Sequence, residues 1–421
     1  MPEFPTIKGT HDLLPDELSY WRRIENTIHS IMEQYGYGEI KTPVFESTEL
    51  FVRSIGTDTD IVNKEMYSWT DQGGNALTLK PELTAPVVRA YLQHQLGNKN
   101  PLQRLWYFDS LFRRERPQKG RQRQFYQFGA EAIGSPHPEQ DAEIIAMAYN
   151  IYKTFDIQEM NVRLNSIGSK EIRLIYLDKL RISLAKKSNV LCANCQTRIE
   201  KNALRVFDCK NPECQKLLDE NAPFIFDSIS EDDRKHFDTV CRMLNKLGIP
   251  YSHDKKLVRG LDYYSHTTFE ITSSALGAQD ALCGGGRYDG LIEQLGGKPT
   301  PAVGFAAGVE RLIIAIDKHE NSVNPPDIYL IPLGEDAAVT ASKLANDLRN
   351  SCGKIVLLET LRRSLKAQMR EAGRCGAMKT IIIGEDELAQ NKVIVKNMVS
   401  GSQQEIPMGD ITRFFKNTPG K

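Results

Sequence analysis

The chain has 421 residues, 40% hydrophobic and 26% charged, and its 54 basic and 54 acidic side chains cancel to a net charge of zero. That balance fits a folded globular protein of two or three domains, and it leaves any nucleic-acid contact to local basic patches and not to a global field. The opening stretch MPEFPTIKGTHDLLP has no apolar core behind a basic start, no run approaches a bilayer span, and eight cysteines without export signals read as thiols or metal ligands in a reducing cytoplasm.

Taken in order, Asp16 reads as an N-cap, and Leu18, Trp21, Ile24, Ile28, Ile31 and Met32 follow at helical spacing until Gly36 and Gly38. GEIKTPVFE reads as a strand broken at Pro43. Leu77 to Lys80 alternates as a strand, and Pro81 stands where a helix would begin, with Glu82 in its first turn. Glu82 and Thr84 at that junction could take an ammonium group or simply cap the helix.

The chain is organised around 105–131. Two antiparallel strands, Leu105 to Phe112 and Gln124 to Ala130, flank a loop in which six of the eleven residues Arg113 to Arg123 are Lys or Arg and only Glu115 opposes them. Strand alternation puts Arg113 and Glu115 on one face of the first strand, and Phe125, Gln127, Gly129 and Glu131 on one face of the second. Gly129 is expected to leave room between Gln127 and Glu131. Such a face could hold a ring, a phosphate and a polar small molecule, or it could be a solvated hairpin with a basic tip.

Asp141 to Phe155 reads as a helix and Met160 to Asn165 as a strand. A polar, mostly helical segment, 169–255, then interrupts the strand-rich pattern and reads as an insertion. It carries Cys192, Cys195, Cys209 and Cys214 at spacing C-x2-C-x13-C-x4-C. They are either four free thiols or a structural zinc site; no metal is assigned to the chemistry, because four thiolates leave no open position. In LVRGLDYYSHTTFE, Arg259 precedes Gly260 in a turn and Tyr263 and Tyr264 lead into a strand, with His266 packed or at the surface. The three glycines of LCGGGRYDGL let the backbone approach a ligand or a neighbouring strand. AVGFAAGVERL runs from small residues into a helix starting near Val309, with Arg311 in its first turn. NSVNPPD is a linker, and IYLIPL, KIVLLE, KTIIIG and KVIVKN alternate with helices as a small α/β domain. Arg362, Lys366, Arg370 and Arg374 recur every fourth residue as one helical stripe beside Leu361, Leu365, Met369 and Ala372. Those cations could follow a phosphate backbone or face solvent.

The hairpin resembles motif 2 of class II aminoacyl-tRNA synthetases, most closely that of the histidyl-tRNA synthetases. The first helix and the Pro43 strand resemble motif 1, the dimer interface of that family. LKPELTAPVVRA is similar to the family's Leu-Arg-Pro-Glu-Gly-Thr-Ala, with Lys80 in place of Arg and Leu83 in place of Gly. LVRGLDYY and LCGGGRYDGL resemble the two signature peptides of the histidyl family, AVGFAAGVERL resembles motif 3, and the last domain resembles an anticodon-binding domain. The resemblance implies an α+β catalytic domain on a mostly antiparallel sheet (1–168 and 256–322), a helical insertion domain (169–255) and a C-terminal α/β anticodon-binding domain (327–421).

It also implies a cytoplasmic homodimer, without membrane attachment, that joins histidine to histidine tRNA using ATP and Mg²⁺. In that family's pattern Arg113 and Arg259 neutralise the reacting phosphate. Glu82, Leu83, Thr84, Gln127, Glu131, Tyr263 and Tyr264, with both arginines, line the histidine site. Arg113, Glu115, Phe125 and Arg311 hold ATP. Arg116, Lys119 and Arg121 reach the acceptor stem, and Arg362, Lys366 and Arg370 the anticodon side. A regulatory paralogue of this fold generally lacks the last domain and erodes motifs 2 and 3, all of which are present here. A different class II synthetase and a plain RNA-binding protein are the other readings.

Overall fold

The computed structural model describes residues 4–57, 59–185, 187–274, 280–316 and 325–416. It divides into two compact units, Met1–Glu320 and Asn321–Lys421. Residues 321–324 of the expected linker lie outside the described residues.

The first unit contains β1 (Gly38–Glu39), β2 (Phe45–Ser47), β3 (Tyr67–Thr70), β4 (Ala76–Leu79), β5 (Gln103–Phe112), β6 (Gln124–Ile133), β7 (Met160–Ser166), β8 (Tyr251–His253), β9 (Ser265–Ser273), β10 (Ala281–Arg287) and β11 (Ala302–Gly308). Eight of them form one sheet in the order β1-β5-β6-β11-β10-β9-β7-β8, while β2, β4 and β3 make a small separate sheet. Only the outermost pairs of the large sheet, β1–β5 and β7–β8, run parallel. The expected strand 38–46 does break at Pro43, and its two halves join different sheets. The class expected from the sequence, an α+β catalytic domain on a mostly antiparallel sheet, is the one observed.

The helices Pro15–Gln34, Pro138–Thr154 and Glu231–Lys246 cover one face of the large sheet. Trp21, Ile24, Ile28, Ile145, Phe237 and Leu244 meet Trp106, Phe128 and Phe305 there in one buried cluster. Burying each such side chain contributes about 1.5–3 kcal/mol. The first helix starts two residues earlier than expected. Pro15 takes the first helical position, Leu14 is the N-cap, and Asp16 lies in the first turn, where it complements the dipole.

The segment 169–255 is not one body. The helices Lys170–Ala185, Ala193–Lys201 and Pro212–Asn221 build a second cluster with Tyr176, Leu180, Val206 and Leu218. Glu231–Lys246 belongs instead to the main layer, and β8 extends the main sheet, because Phe237, Val240 and Leu244 carry the apolar stripe that the sheet needs covered. The Gly-rich stretch approaches neighbouring strands: Cys283 to Arg287 lies inside β10, paired on both edges.

The second unit contains β12 (Ile328–Pro332), β13 (Val356–Leu358), β14 (Lys379–Ile383), β15 (Lys392–Asn397) and β16 (Gln403–Pro407), in the order β13-β12-β14-β15-β16. Its first three strands are parallel and its last two antiparallel. The unexpected strand, β16, is an edge of polar sequence QQEIP whose only buried side chain is Ile406. The basic stripe is shorter than the spacing implied. The helix spans Leu365–Arg374, so Arg362 precedes it, at φ +52°. Leu361 and Leu365 are exposed, and Gln368 and Ala372 are the side chains turned inward. No helix among the described residues is long and apolar enough to cross a membrane.

Candidate functional site

The face of the large sheet opposite the three covering helices is paved with small residues. In one row across the strands, Tyr107 on β5 pairs with Gly129, then Ala306, Gly284 and Glu270. In the adjacent row Glu131 pairs with Gly304 and Gly286. Directly paired antiparallel residues point the same way, so these glycines clear one continuous trough. Large side chains lie down in it. A Cβ at Gly284 would overlap the Arg259 guanidinium, one at Gly304 would overlap Glu131 Oε2, and one at Gly286 would come within 3.1 Å of the Tyr264 ring. The room left by Gly129 is filled by Tyr107, whose hydroxyl a Cβ there would meet at 2.6 Å. The sequence reading left that space empty and missed Tyr107.

Glu131 is the centre of the trough. It is 1% exposed. Oε1 accepts from Thr84 Oγ1 at 2.8 Å and from Tyr107 at 3.1 Å, and Oε2 accepts from the Tyr288 hydroxyl at 2.6 Å. Burial pushes its carboxyl up to about 7, against the pull of those three hydroxyls. A carboxylate has about four acceptor positions, so one remains for an N–H donor. Tyr263 and Tyr264 pack nearby in a tilted pair, with centroids 4.8 Å apart. Tyr263 also packs edge-on to Tyr288 at 5.7 Å.

Glu82 sits just before the helix Thr84–Gln93, not in its first turn. Its carboxylate accepts from the backbone N–H groups of Thr84 and Ala85 at 2.7 and 2.9 Å. Capping is thus part of its work, and burial raises its pKa although those N–H groups oppose the shift. Leu83 is buried against Val87, Tyr107 and Leu111, with an ordinary φ of −112° that does not require glycine. Its side chain belongs to that apolar cluster. Lys80, fully buried, forms an ion pair with Asp109 at 2.6 Å and donates to Thr42 O.

Arg113 follows the end of β5, so it and Glu115 lie in the loop and not on the strand. Arg113 N still bonds Arg123 O at 2.9 Å, which extends the ladder by one residue. Its Nε donates to Pro81 O at 2.8 Å, and its guanidinium lies 5.2 Å from the Phe125 ring centre. Glu115 is shared by Arg113 at 3.9 Å and Arg121 at 3.1 Å. Arg259 lies 5.8 Å from the Tyr264 ring centre and pairs with Glu270 at 3.2 Å; sequence reasoning missed Glu270. Arg311 passes beside Gly308, the strand partner of Gln127, and donates to Ala281 O at 2.8 Å. Burial and the neighbouring Arg121 hold its pKa below the usual arginine value.

Two conspicuous residues serve the frame. Arg287 is 1% exposed and bound to Asp141 through Nε and Nη2. His266, at φ +48°, is held 2.7 Å from Asp233 and 3.8 Å from Asp289. Burial works against its charge, but these carboxylates outweigh it and its pKa is raised.

The loop tip, Gln118 to Arg121, closes on itself through two backbone bonds of 2.9 and 3.0 Å, with Gly120 at φ +73°. Arg116, Lys119 and Arg121 are exposed there. In the other unit Lys366 and Arg370 are exposed, whereas Arg374 is bound to Glu371.

A family model described as histidyl-tRNA synthetase matches residues 9–312, and one described as an anticodon-binding domain matches residues 327–418. A histidine–tRNA ligase of Halothermothrix orenii is 48% identical over 96% of this chain and 97% of its own, and one of Geobacillus kaustophilus is 44% identical over 99% of both. The crystal structure of apo Staphylococcus aureus histidyl-tRNA synthetase superposes with a TM-score of 0.81 at 37% identity, covering 99% of this chain and 100% of that one. The chain belongs to the histidyl-tRNA synthetase family.

Proposed function

We propose that the glycine-floored face carries both steps of ATP-dependent histidine–tRNA ligation. The histidine carboxylate attacks the α-phosphorus of ATP, the bond to the β,γ-phosphates breaks, and pyrophosphate leaves. The terminal ribose hydroxyl of histidine tRNA then attacks the adenylate carbonyl, AMP leaves, and a phosphate oxygen takes the hydroxyl proton. The observation that carries this reading is one carboxylate, Glu131, caged by three hydroxyls in the trough where Arg259 also lies.

Two anions must meet, so fixed cations are needed where charge builds up. In this reading Arg113 and Arg259 flank the α-phosphate. Phe125 and Arg311 sandwich adenine, and Glu115 accepts from its amino group. Glu82, Thr84 and Gln127 take the ammonium; Glu82 keeps acceptor positions beyond its two cap bonds. Glu131 and Tyr264 address the two imidazole nitrogens, with Tyr263 closing the pocket. A wrong amino acid leaves this polar pocket unpaired, so no editing site is needed. Mg²⁺ bound with ATP would add positive charge at the phosphates, while Glu270 is paired with Arg163 and Arg259.

The partners follow in the same terms. Exposed Arg116 and Lys119 would meet the acceptor stem, and Arg362, Lys366 and Arg370 the anticodon side. Homodimerisation through motif 1 is supported by exposed Val44, Phe45 and Trp69. A cytoplasmic setting suits the free thiols.

ATP–pyrophosphate exchange across the twenty amino acids tests the reading. Histidine alone should support exchange; exchange with another amino acid, or with none, would overturn it. Arg116→Ala should slow transfer to tRNA by about tenfold, the worth of one or two charged contacts, and leave adenylate formation within about twofold. Equal slowing of both steps would remove the loop tip from the tRNA site.

A further inference from the structure

The four cysteines of the insertion are left unused by the ligase chemistry. They come from three short elements: Cys192 caps the helix Ala193–Lys201, Cys195 lies in its first turn, Cys209 ends the 3₁₀ turn Ala203–Asp208, and Cys214 is the third residue of Pro212–Asn221. The fold nonetheless brings all four sulfurs within 4.8 Å of one another, with Cys195 and Cys214 fully buried.

We propose that Cys192, Cys195, Cys209 and Cys214 bind one structural zinc ion. A tetrahedral ion at about 2.3 Å from each sulfur sets the sulfurs about 3.8 Å apart. Cys192 and Cys209 stand at 3.8 Å. A disulfide would need about 2.05 Å, and all four cysteines are free thiols. A multi-iron cluster would hold its thiolates farther apart, because the metals and inorganic sulfides lie between them. Backbone N–H groups already point at the sulfurs, from Cys192 to Cys214 Sγ at 3.2 Å and from Asn211 to Cys209 Sγ at 3.4 Å, as in the hydrogen-bonded outer layer that thiolate sites use.

The ion has no open position and does no chemistry, but its place in the fold gives it a task. The same 3₁₀ turn and the residue before it carry Arg205, 3.7 Å from Asp60, and Asn202, which donates to Asp262 at 2.8 Å. Asp262 immediately precedes Tyr263 and Tyr264. The zinc knot therefore fixes the turn that braces the tyrosine pair.

The test is metal analysis of full-length protein purified without chelator, followed by Co²⁺ substitution. One zinc per chain, released by a mercurial, and a cobalt derivative with the intense visible bands of tetrahedral thiolate ligation are expected. Cys214→Ser should lose the zinc, while Cys352→Ser, in the other unit, keeps it. If Cys214→Ser does not fold, the wild-type zinc content and cobalt spectrum decide alone. Wild-type protein that holds no zinc after reconstitution, or that holds iron instead, or whose zinc survives Cys214→Ser, overturns the proposal. A KM for histidine that rises on zinc removal, with kcat changing less, is the expected functional trace; an unchanged KM would remove the bracing role.

Discussion

Glu131→Gln is expected to lower kcat/KM for histidine in pyrophosphate exchange by about 100-fold or more while raising the melting temperature at pH 8.5. The loss follows from exchanging a charge-assisted acceptor for a neutral amide in a buried pocket. The stability change has the opposite sign. Burial raises the Glu131 carboxyl from 4.5 to about 7, so folding prefers its neutral form. The benefit of that neutral form is complete below about 4.5 and disappears as pH rises through 7, where the folded protein must carry a buried charge. A Gln removes that charge, a gain of up to about 3 kcal/mol, reduced by about 1–2 kcal/mol for the Tyr288 bond that an amide nitrogen cannot accept. At pH 5 the wild-type side chain is itself neutral, so the gain vanishes and the variant should melt at or below the wild-type temperature. A variant that keeps its KM for histidine would free Glu131 from the imidazole role, and one that melts lower than wild type at pH 8.5 would reject the account of its burial.

Arg259→Ala should slow adenylate formation by about 10²–10³-fold, the usual worth of one preorganised group on a developing oxyanion. Gly284→Ala should do nearly the same without touching the arginine, because the new methyl would occupy the guanidinium's place on the sheet. The double variant should then be scarcely worse than either single one, since both remove one interaction. Losses that multiply would mean that Gly284 serves the fold in some other way.

Much of this site could be read from the sequence, for definite reasons. The hairpin of β5 and β6 was legible because two runs rich in apolar and aromatic residues flank a basic loop containing Pro117 and Gly120. Glu131 and Phe125 fell on one face by counting alone. What counting could not supply was register between strands distant in sequence. Tyr107 fills the space over Gly129 because those two residues pair across the hairpin, and Tyr288 reaches Glu131 from 157 positions away. The three glycines of β10 announced a close approach but not its occupants, which are Arg259, Phe269 and Tyr264. The cationic stripe was overextended for a simpler reason. Fourfold spacing marks a helical face only where the helix exists, and Arg362 lies before it. The cysteine spacing posed zinc and free thiols as alternatives, and spacing could not show that three short elements fold the four sulfurs onto one point.

The most direct test is a structure with histidine and a non-hydrolysable ATP analogue bound. The imidazole should lie between Glu131 and Tyr264, with the α-phosphate in contact with both Arg113 and Arg259 above Gly284. An imidazole seated away from Glu131, or an α-phosphate touching neither arginine, would contradict the assignment of this face.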